Sequence, residues 1–207
     1  GSATVGDDAE ADRTDSEASK PCVVSLHGKG GGGAPTSTID GITRLAPDGN
    51  DDGWGGRQWN YLDASVYADA VAVVDAAIVD AGCSDVAVQG FSNGGAFAAK
   101  LYCQGETFGD TLVGVVIDDP VADSSTAGCT PGAGVDATLY WTGALESAAP
   151  AGTDCGPIDW TCDGGAVVGI EAFADAAGLD VTASPFEDHV PYSDAPDPAI
   201  WLDAARG

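Results

Sequence analysis

The chain has 207 residues, with 33 acidic side chains against 7 lysines and arginines, so its formal net charge is −26. That length suits one domain with a sizeable core, and 44% hydrophobic residues argue against an acidic disordered chain. The charge speaks against nucleic acid as a partner, because phosphate binding needs a basic surface, and disfavours docking on anionic membranes.

Gly1-Ser2 resembles the remnant of a cleaved tag. Residues 1–20 are polar and acidic without apolar periodicity, which predicts a disordered leader; 21–207 would form the single folded domain. Cys22–His27 reads as a first strand, running into the glycines of Gly28–Gly33. Ile42–Ala46 reads as a weaker second strand, stopped by Pro47-Asp48-Gly49. Asp63 can cap a helix over about 64–81, where Tyr67, Ala70, Val71, Val74 and Ile78 share one face and Gly82 ends it. Asp85–Gln89 is a strand, followed by Gly90–Gly95 and a helix over about 94–104. Leu112–Ile117 and Ala137–Trp141 are further strands. Ala166–Ala177 is a helix, Val181–Phe186 the last strand and Pro198–Arg206 the last helix. This alternation predicts an α/β fold: a mostly parallel sheet of about six strands with helices on both faces. No apolar run approaches the roughly 18 residues of a membrane span.

Gly90-Phe91-Ser92-Asn93-Gly94 is a G-x-S-x-G motif between a predicted strand and a predicted helix. The turn is too tight for side chains two residues either side of Ser92. It would raise the Ser92 hydroxyl at the carboxyl end of the strand, with the Asn93 N–H free to face an oxyanion. Of the two histidines, His27 precedes the nucleophile and His189 follows the last strand. Imidazole is suited to accept the serine proton and return it to a leaving alcohol.

On this motif, and on Leu26-His27-Gly28 running into a glycine-rich loop, the chain resembles the α/β-hydrolase superfamily. The loop is similar to the H-G-G oxyanion loop of esterases, which implies backbone donors around Gly28 and Lys29. G-x-G-x-x-G of dinucleotide-binding folds also fits Gly28–Gly33, but Pro35 and Thr36-Ser37-Thr38 follow it where a helix should start. The superfamily order of serine, acid, histidine makes His189 the base. Its acid is expected in a G-x-x-D turn; Gly143-Ala144-Leu145-Glu146 offers Glu146, with Asp118, Asp119, Asp154 and Asp159 as competitors. Gly-x-Ser-Asn-Gly-Gly, and Trp59-Asn60 after Pro47-Asp48-Gly49, resemble secreted polyhydroxybutyrate-depolymerase-like and feruloyl-esterase-like enzymes. The resemblance implies a minimal α/β-hydrolase with no lid domain, an open, shallow site, no cofactor and no metal. It implies a secreted monomer cleaving small or polymeric esters through an acyl-enzyme on Ser92. An acyltransferase or amidase on the same fold, or a non-catalytic acidic binding module, are the alternatives.

The superfamily's strand order implies disulfides Cys22–Cys83 and Cys103–Cys129; Cys155–Cys162, seven apart in one loop, would be the third. Zinc is the rival use of six cysteines, but their spacing is wrong for it. Asp48–Gly53 matches the first half of a calcium loop, yet position twelve is Trp59, so a polar turn is the simpler reading. Trp54, Trp59, Tyr61, Trp141, Trp160 and Tyr192 could line a cleft near the active face or pack loops. The acidity lies in the body, since residues 1–20 carry a net charge of only −4. It resembles adaptation to high salt, where ions screen self-repulsion.

Overall fold

A computed structural model of the chain describes residues 19–61, 64–146, 150–154, 166–183, 188, 189, 197, 199 and 202. Its strands are β1 (Pro21–Leu26), β2 (Ala34–Ile39), β3 (Ile42–Ala46), β4 (Asn50–Asp51), β5 (Arg57–Gln58), β6 (Asp85–Phe91), β7 (Leu112–Asp118), β8 (Asp136–Trp141) and β9 (Val181–Ala183). The helices are α1 (Ala64–Ala81), α2 (Asn93–Cys103) and α3 (Ile170–Ala177). Seven strands form one sheet in the order β2-β3-β1-β6-β7-β8-β9. All neighbours pair in parallel except β2 with β3. β4 and β5 form a separate two-stranded ribbon.

Successive strand residues point to opposite faces, so a sheet covered on both sides buries adjacent apolar residues. Val23 and Val24 are both fully buried. Val24, Leu26, Val88, Ile117 and Leu139 join residues of α1, α2 and α3, including Val74, Phe97 and Phe173, in the main core. Val23, Ile42 and Ala87 pack on the other face with Ala199 and Leu202. Burying each such large side chain contributes about 1.5–3 kcal/mol. The stripe expected on α1 is the one that packs: Ala70, Val74 and Ile78 are buried, with Tyr67 and Val71 against the core.

Three departures from the expected elements have local causes. The sheet has a seventh strand, because the segment Ala34–Ile39 after the glycine loop hairpins back on β3 instead of staying a loop. α3 begins at Ile170, since Ala166 and Val167 bridge to Asp154 and Asp123 and Gly169 is extended. β6 runs on through Gly90 and Phe91, delivering the chain directly into the turn at Ser92. The last strand is described over Val181–Ala183. Of the last helix, Ala199 and Leu202 are described as helical, and the remainder lies outside the described residues, as does the leader up to residue 18.

Two of the expected disulfides are formed. Cys22–Cys83 joins the starts of neighbouring strands, with Cα atoms 5.8 Å apart. Cys103–Cys129 ties the end of α2 to the loop after β7, at 4.2 Å. Cys155 and Cys162 lie outside the described residues.

Candidate active site

Ser92 sits between β6 and α2 with φ 56° and ψ −119°, a region that non-glycine residues avoid. The surroundings hold it there. The Ser92 N–H donates to the Asp118 carbonyl at 3.0 Å, and the Ser92 carbonyl accepts from Ala96 and Val121 at 2.9 and 3.3 Å. A Cβ on Gly90 would come within 2.1 Å of the Gly94 carbonyl oxygen, and one on Gly94 within 2.3 Å of the Leu26 carbonyl oxygen. The two glycines of the motif are therefore sites of backbone-on-backbone contact.

The imidazole of His189 bridges Ser92 and a carboxylate. Its Nε2 accepts from the Ser92 hydroxyl at 2.8 Å, and its Nδ1 donates to Oδ2 of Asp119. Asp119 is fully buried. It takes two further hydrogen bonds from Thr142, the N–H to Oδ1 at 3.1 Å and the hydroxyl to Oδ2 at 2.9 Å. The Phe91 ring stacks on the imidazole, with centroids 4.8 Å apart and planes inclined by 29°.

Glu146, the first choice from the sequence for this acid, is elsewhere. The turn after β8 forms, with the Glu146 N–H donating to the Gly143 carbonyl at 3.2 Å, but the side chain is exposed. What that turn brings to the imidazole is Thr142, which steadies Asp119. The carboxylate bonded to His189 comes instead from the end of β7, the strand next to β6, which leads into Ser92. Asp118 is the last residue of β7 and lines a cavity with Ser25, His27, Gly28, Gln89 and Phe91. Asp119 leaves the strand one residue later, with φ 42°, and bonds His189. Asp154 is exposed and bridges to Ala166, and Asp159 lies outside the described residues.

His27 has both nitrogens engaged in its own loop. Nδ1 donates to the Gly28 carbonyl at 2.8 Å, and Nε2 accepts from the Gly49 N–H at 3.0 Å. That hydrogen bonding fixes the ring's orientation and holds the Gly28 main chain against Ser92. A Cβ on Gly28 would stand 3.3 Å from the Cβ of Ser92. Within the same loop, the Gly30 N–H donates to Arg57 at 2.8 Å and the Gly31 N–H to Gly28 at 3.0 Å. Lys29 is half-buried between them. β2, not a helix, follows the glycines, so the dinucleotide arrangement is not built. Asn93 opens α2, and its side-chain amide pairs with the Trp59 backbone: Oδ1 accepts from N–H at 2.6 Å, Nδ2 donates to the carbonyl at 3.2 Å.

Trp59 and Tyr61 are core residues and not a cleft lining. Both are fully buried and stack on Phe97, at 5.0 and 6.4 Å between centroids. Trp54 is 86% exposed in the loop joining β4 to β5, and Trp141 is half-buried at the end of β8. Trp160 and Tyr192 lie outside the described residues. In the calcium-like stretch, Asp48 accepts from the Gly33 N–H at 2.7 Å, Asp51 from Gly53 at 2.7 Å, and Asp52 from Trp54 and Gly56 at 2.8 and 2.9 Å. The Trp54 N–H is the largest influence on the Asp52 carboxyl and holds it below its ordinary range. Asp51 and Asp52 thus act as Asx-type turn formers, while Asp48 ties down the glycine loop. Among the described residues no group of three or more His, Cys, Asp or Glu is arranged to hold a metal ion, and no helix is long and apolar enough to cross a membrane.

No protein-family model and no curated protein matches the chain. Among solved structures it is similar to a Bacillus cereus carboxylesterase, at 17% identity over 79% of this chain and 77% of that one, TM-score 0.49. It is similar to a carboxylesterase from Mesorhizobium loti, at 18% identity over 91% and 90%, TM-score 0.48. It is similar also to a protein of unknown function from Agrobacterium tumefaciens, at 17% identity over 92% and 90%, TM-score 0.49. The parallel sheet, with the strained serine turn between β6 and α2 at its centre, is a small α/β-hydrolase fold.

Proposed function

We propose that the chain is a serine hydrolase that cleaves carboxylic esters through an acyl-enzyme on Ser92. The hydrogen-bonded series Ser92–His189–Asp119 carries this reading. His189 Nε2 takes the Ser92 proton as Oγ attacks the ester carbonyl carbon. Asp119 keeps the Nδ1–H tautomer and stabilises the imidazolium that forms. The carbonyl oxygen becomes an oxyanion, held by the Asn93 N–H at the start of α2 and by the Gly28–Lys29 main chain. Collapse of the tetrahedral intermediate breaks the carbon–oxygen bond to the alcohol, which leaves with the proton from Nε2. Water, deprotonated by the same nitrogen, then attacks the acyl-enzyme, and Ser92 recovers its proton.

Glu146 and the other competing carboxylates have no part in this scheme. An ester substrate is favoured over a cationic ligand bound by the acidic face, because an inert module has no need of a strained serine bonded to an imidazole. Two disulfides support a secreted protein, since such bonds persist in oxidising compartments. Hydrolysis of 4-nitrophenyl acetate, and labelling of Ser92 by a fluorophosphonate, test the activity. Both should vanish in Ser92→Ala, and equal hydrolysis by the two proteins would overturn the reading. Feruloyl and hydroxybutyrate esters assign the subtype, and amides or competing alcohols separate an amidase or acyltransferase.

A further inference from the structure

On the acid side of the site lies a cavity of about 260 Å³. Its walls include Val121 and Ala122 after β7, Trp141 and Leu145 around the end of β8, and Val168 and Ile170 leading into α3. Among the described residues its only ionisable wall residue is Glu146. Val121 and Ala122 are 6% and 5% exposed, so the floor is core, whereas Glu146 stands at the exposed rim. The cavity is fastened to the catalytic residues at two points. The Val121 N–H donates to the carbonyl of Ser92 at 3.3 Å, and Trp141 precedes the Thr142 that holds Asp119.

We propose that this cavity holds a short, uncharged acyl group, and that the Glu146 carboxylate at its mouth discriminates against anionic ones. The proposal rests on the serine-hydrolase reading above. Of the two halves of an ester, the acyl group stays attached to Ser92 through both steps while the alcohol departs. A pocket bonded to the backbone of Ser92 suits the half that stays. At about 260 Å³ the space exceeds the roughly 150 Å³ that holds a benzene ring. Butyryl or a single-ring acyl group fits that size, and a dodecanoyl chain does not. An acyl group ending in a carboxylate would meet Glu146 across solvent at the rim, where like charges repel weakly and salt screens them.

The experiment uses the full chain and 4-nitrophenyl esters, so that the alcohol is constant. Wild type should prefer butyrate to dodecanoate. Val168→Phe, which fills the cavity, should lower kcat/KM for butyrate about tenfold, the worth of two buried methylenes, and leave acetate within about twofold. Glu146→Gln should raise kcat/KM for the hemisuccinate ester about threefold at 0.1 M salt, with no gain at 1 M and no change for butyrate. Asp75→Asn, an exposed charge removed on α1, should leave the hemisuccinate-to-butyrate ratio as in wild type. An unchanged butyrate-to-acetate ratio in Val168→Phe would overturn the acyl site. Should that variant not fold, Leu145→Ala, which enlarges the cavity, must raise the dodecanoate-to-butyrate ratio, and a constant ratio counts equally against it. An unchanged hemisuccinate ratio in Glu146→Gln would overturn the role of the carboxylate. Hydrolysis of none of these esters by wild type would instead bring down the serine-hydrolase reading, and this one with it.

Discussion

Thr142 gives Asp119 two hydrogen bonds, one from its N–H at 3.1 Å and one from its hydroxyl at 2.9 Å. The hydroxyl is itself oriented, because it accepts from the Ala144 N–H at 3.1 Å. A buried carboxylate facing an imidazole is costly unless its lone pairs are filled in this way. Asp119→Asn should lower kcat about 10⁴-fold, since an amide does not hold the Nδ1–H tautomer. Glu146→Gln should stay within about twofold for 4-nitrophenyl acetate. Thr142→Val keeps the N–H and loses the hydroxyl, and about a tenfold loss in kcat is expected. Steady-state kinetics of the three variants decide between the two carboxylates; the opposite ranking would return the role to Glu146.

Phe91 covers one face of the His189 imidazole. Its removal should loosen the ring without touching the substrate. Phe91→Ala is expected to lower kcat about tenfold at nearly constant KM, and Phe91→Tyr to restore it. A change confined to KM would mean that Phe91 contacts substrate and does not position the base.

Gly94 has no room for a side chain, as its Cβ would press on the Leu26 carbonyl oxygen at 2.3 Å. Gly94→Ala must move the main chain of β1 or of α2. We expect a loss of several kcal/mol in stability and a disordered nucleophile. Thermal unfolding together with fluorophosphonate labelling checks both effects. A normal melting temperature with normal labelling would contradict the packing.

The Arg44–Asp197 pair, at 2.5 Å, links β3 to the chain beyond His189. Burial pushes the Asp197 carboxyl up, but the bonds from Arg44 and from the Ala199 N–H outweigh it and leave it below its ordinary range. A carboxyl depressed on folding stabilises above its unfolded pKa, about 3.9, and that contribution is lost as pH falls through the folded value. Both side chains are in good part exposed, so at most about 1 kcal/mol is involved. Asp197→Asn should therefore melt below wild type at pH 7 and alongside it at pH 2. A difference that persists in acid would mean the residue acts by packing.

The chain carries 33 acidic side chains against 7 lysines and arginines, a net charge of −26, so cations are too few to pair most of them. Most carboxylates thus repel one another through solvent. We expect the melting temperature to rise from 0.1 M to molar salt as the screening length shortens from about 10 to about 3 Å. A flat or falling profile would leave the charge without this explanation.

Several features were legible in consecutive residues alone. The spacing of Ala70, Val74 and Ile78 wrote α1, and Gly90 and Gly94 around Ser92 wrote the tight turn. With two histidines in the chain, the order along it singled out His189. These signals are local: a helical period, a steric demand for glycine and a scarcity of imidazole act whatever lies across the sheet. The choice of Asp119 over Glu146 is not local. It depends on the register of β7 beside β6, and on the turn after β8 presenting a threonine where a carboxylate was expected. Among 33 acids, no spacing along the chain separates the one that the fold buries against an imidazole. The burial of Trp59 and Tyr61 on Phe97, and the hairpin that turned a polar segment into β2, are likewise decided by what packs against them. Sequence singled out Ser92 and His189; only tertiary packing singled out Asp119, because desolvation and hydrogen-bond satisfaction are properties of neighbours in space.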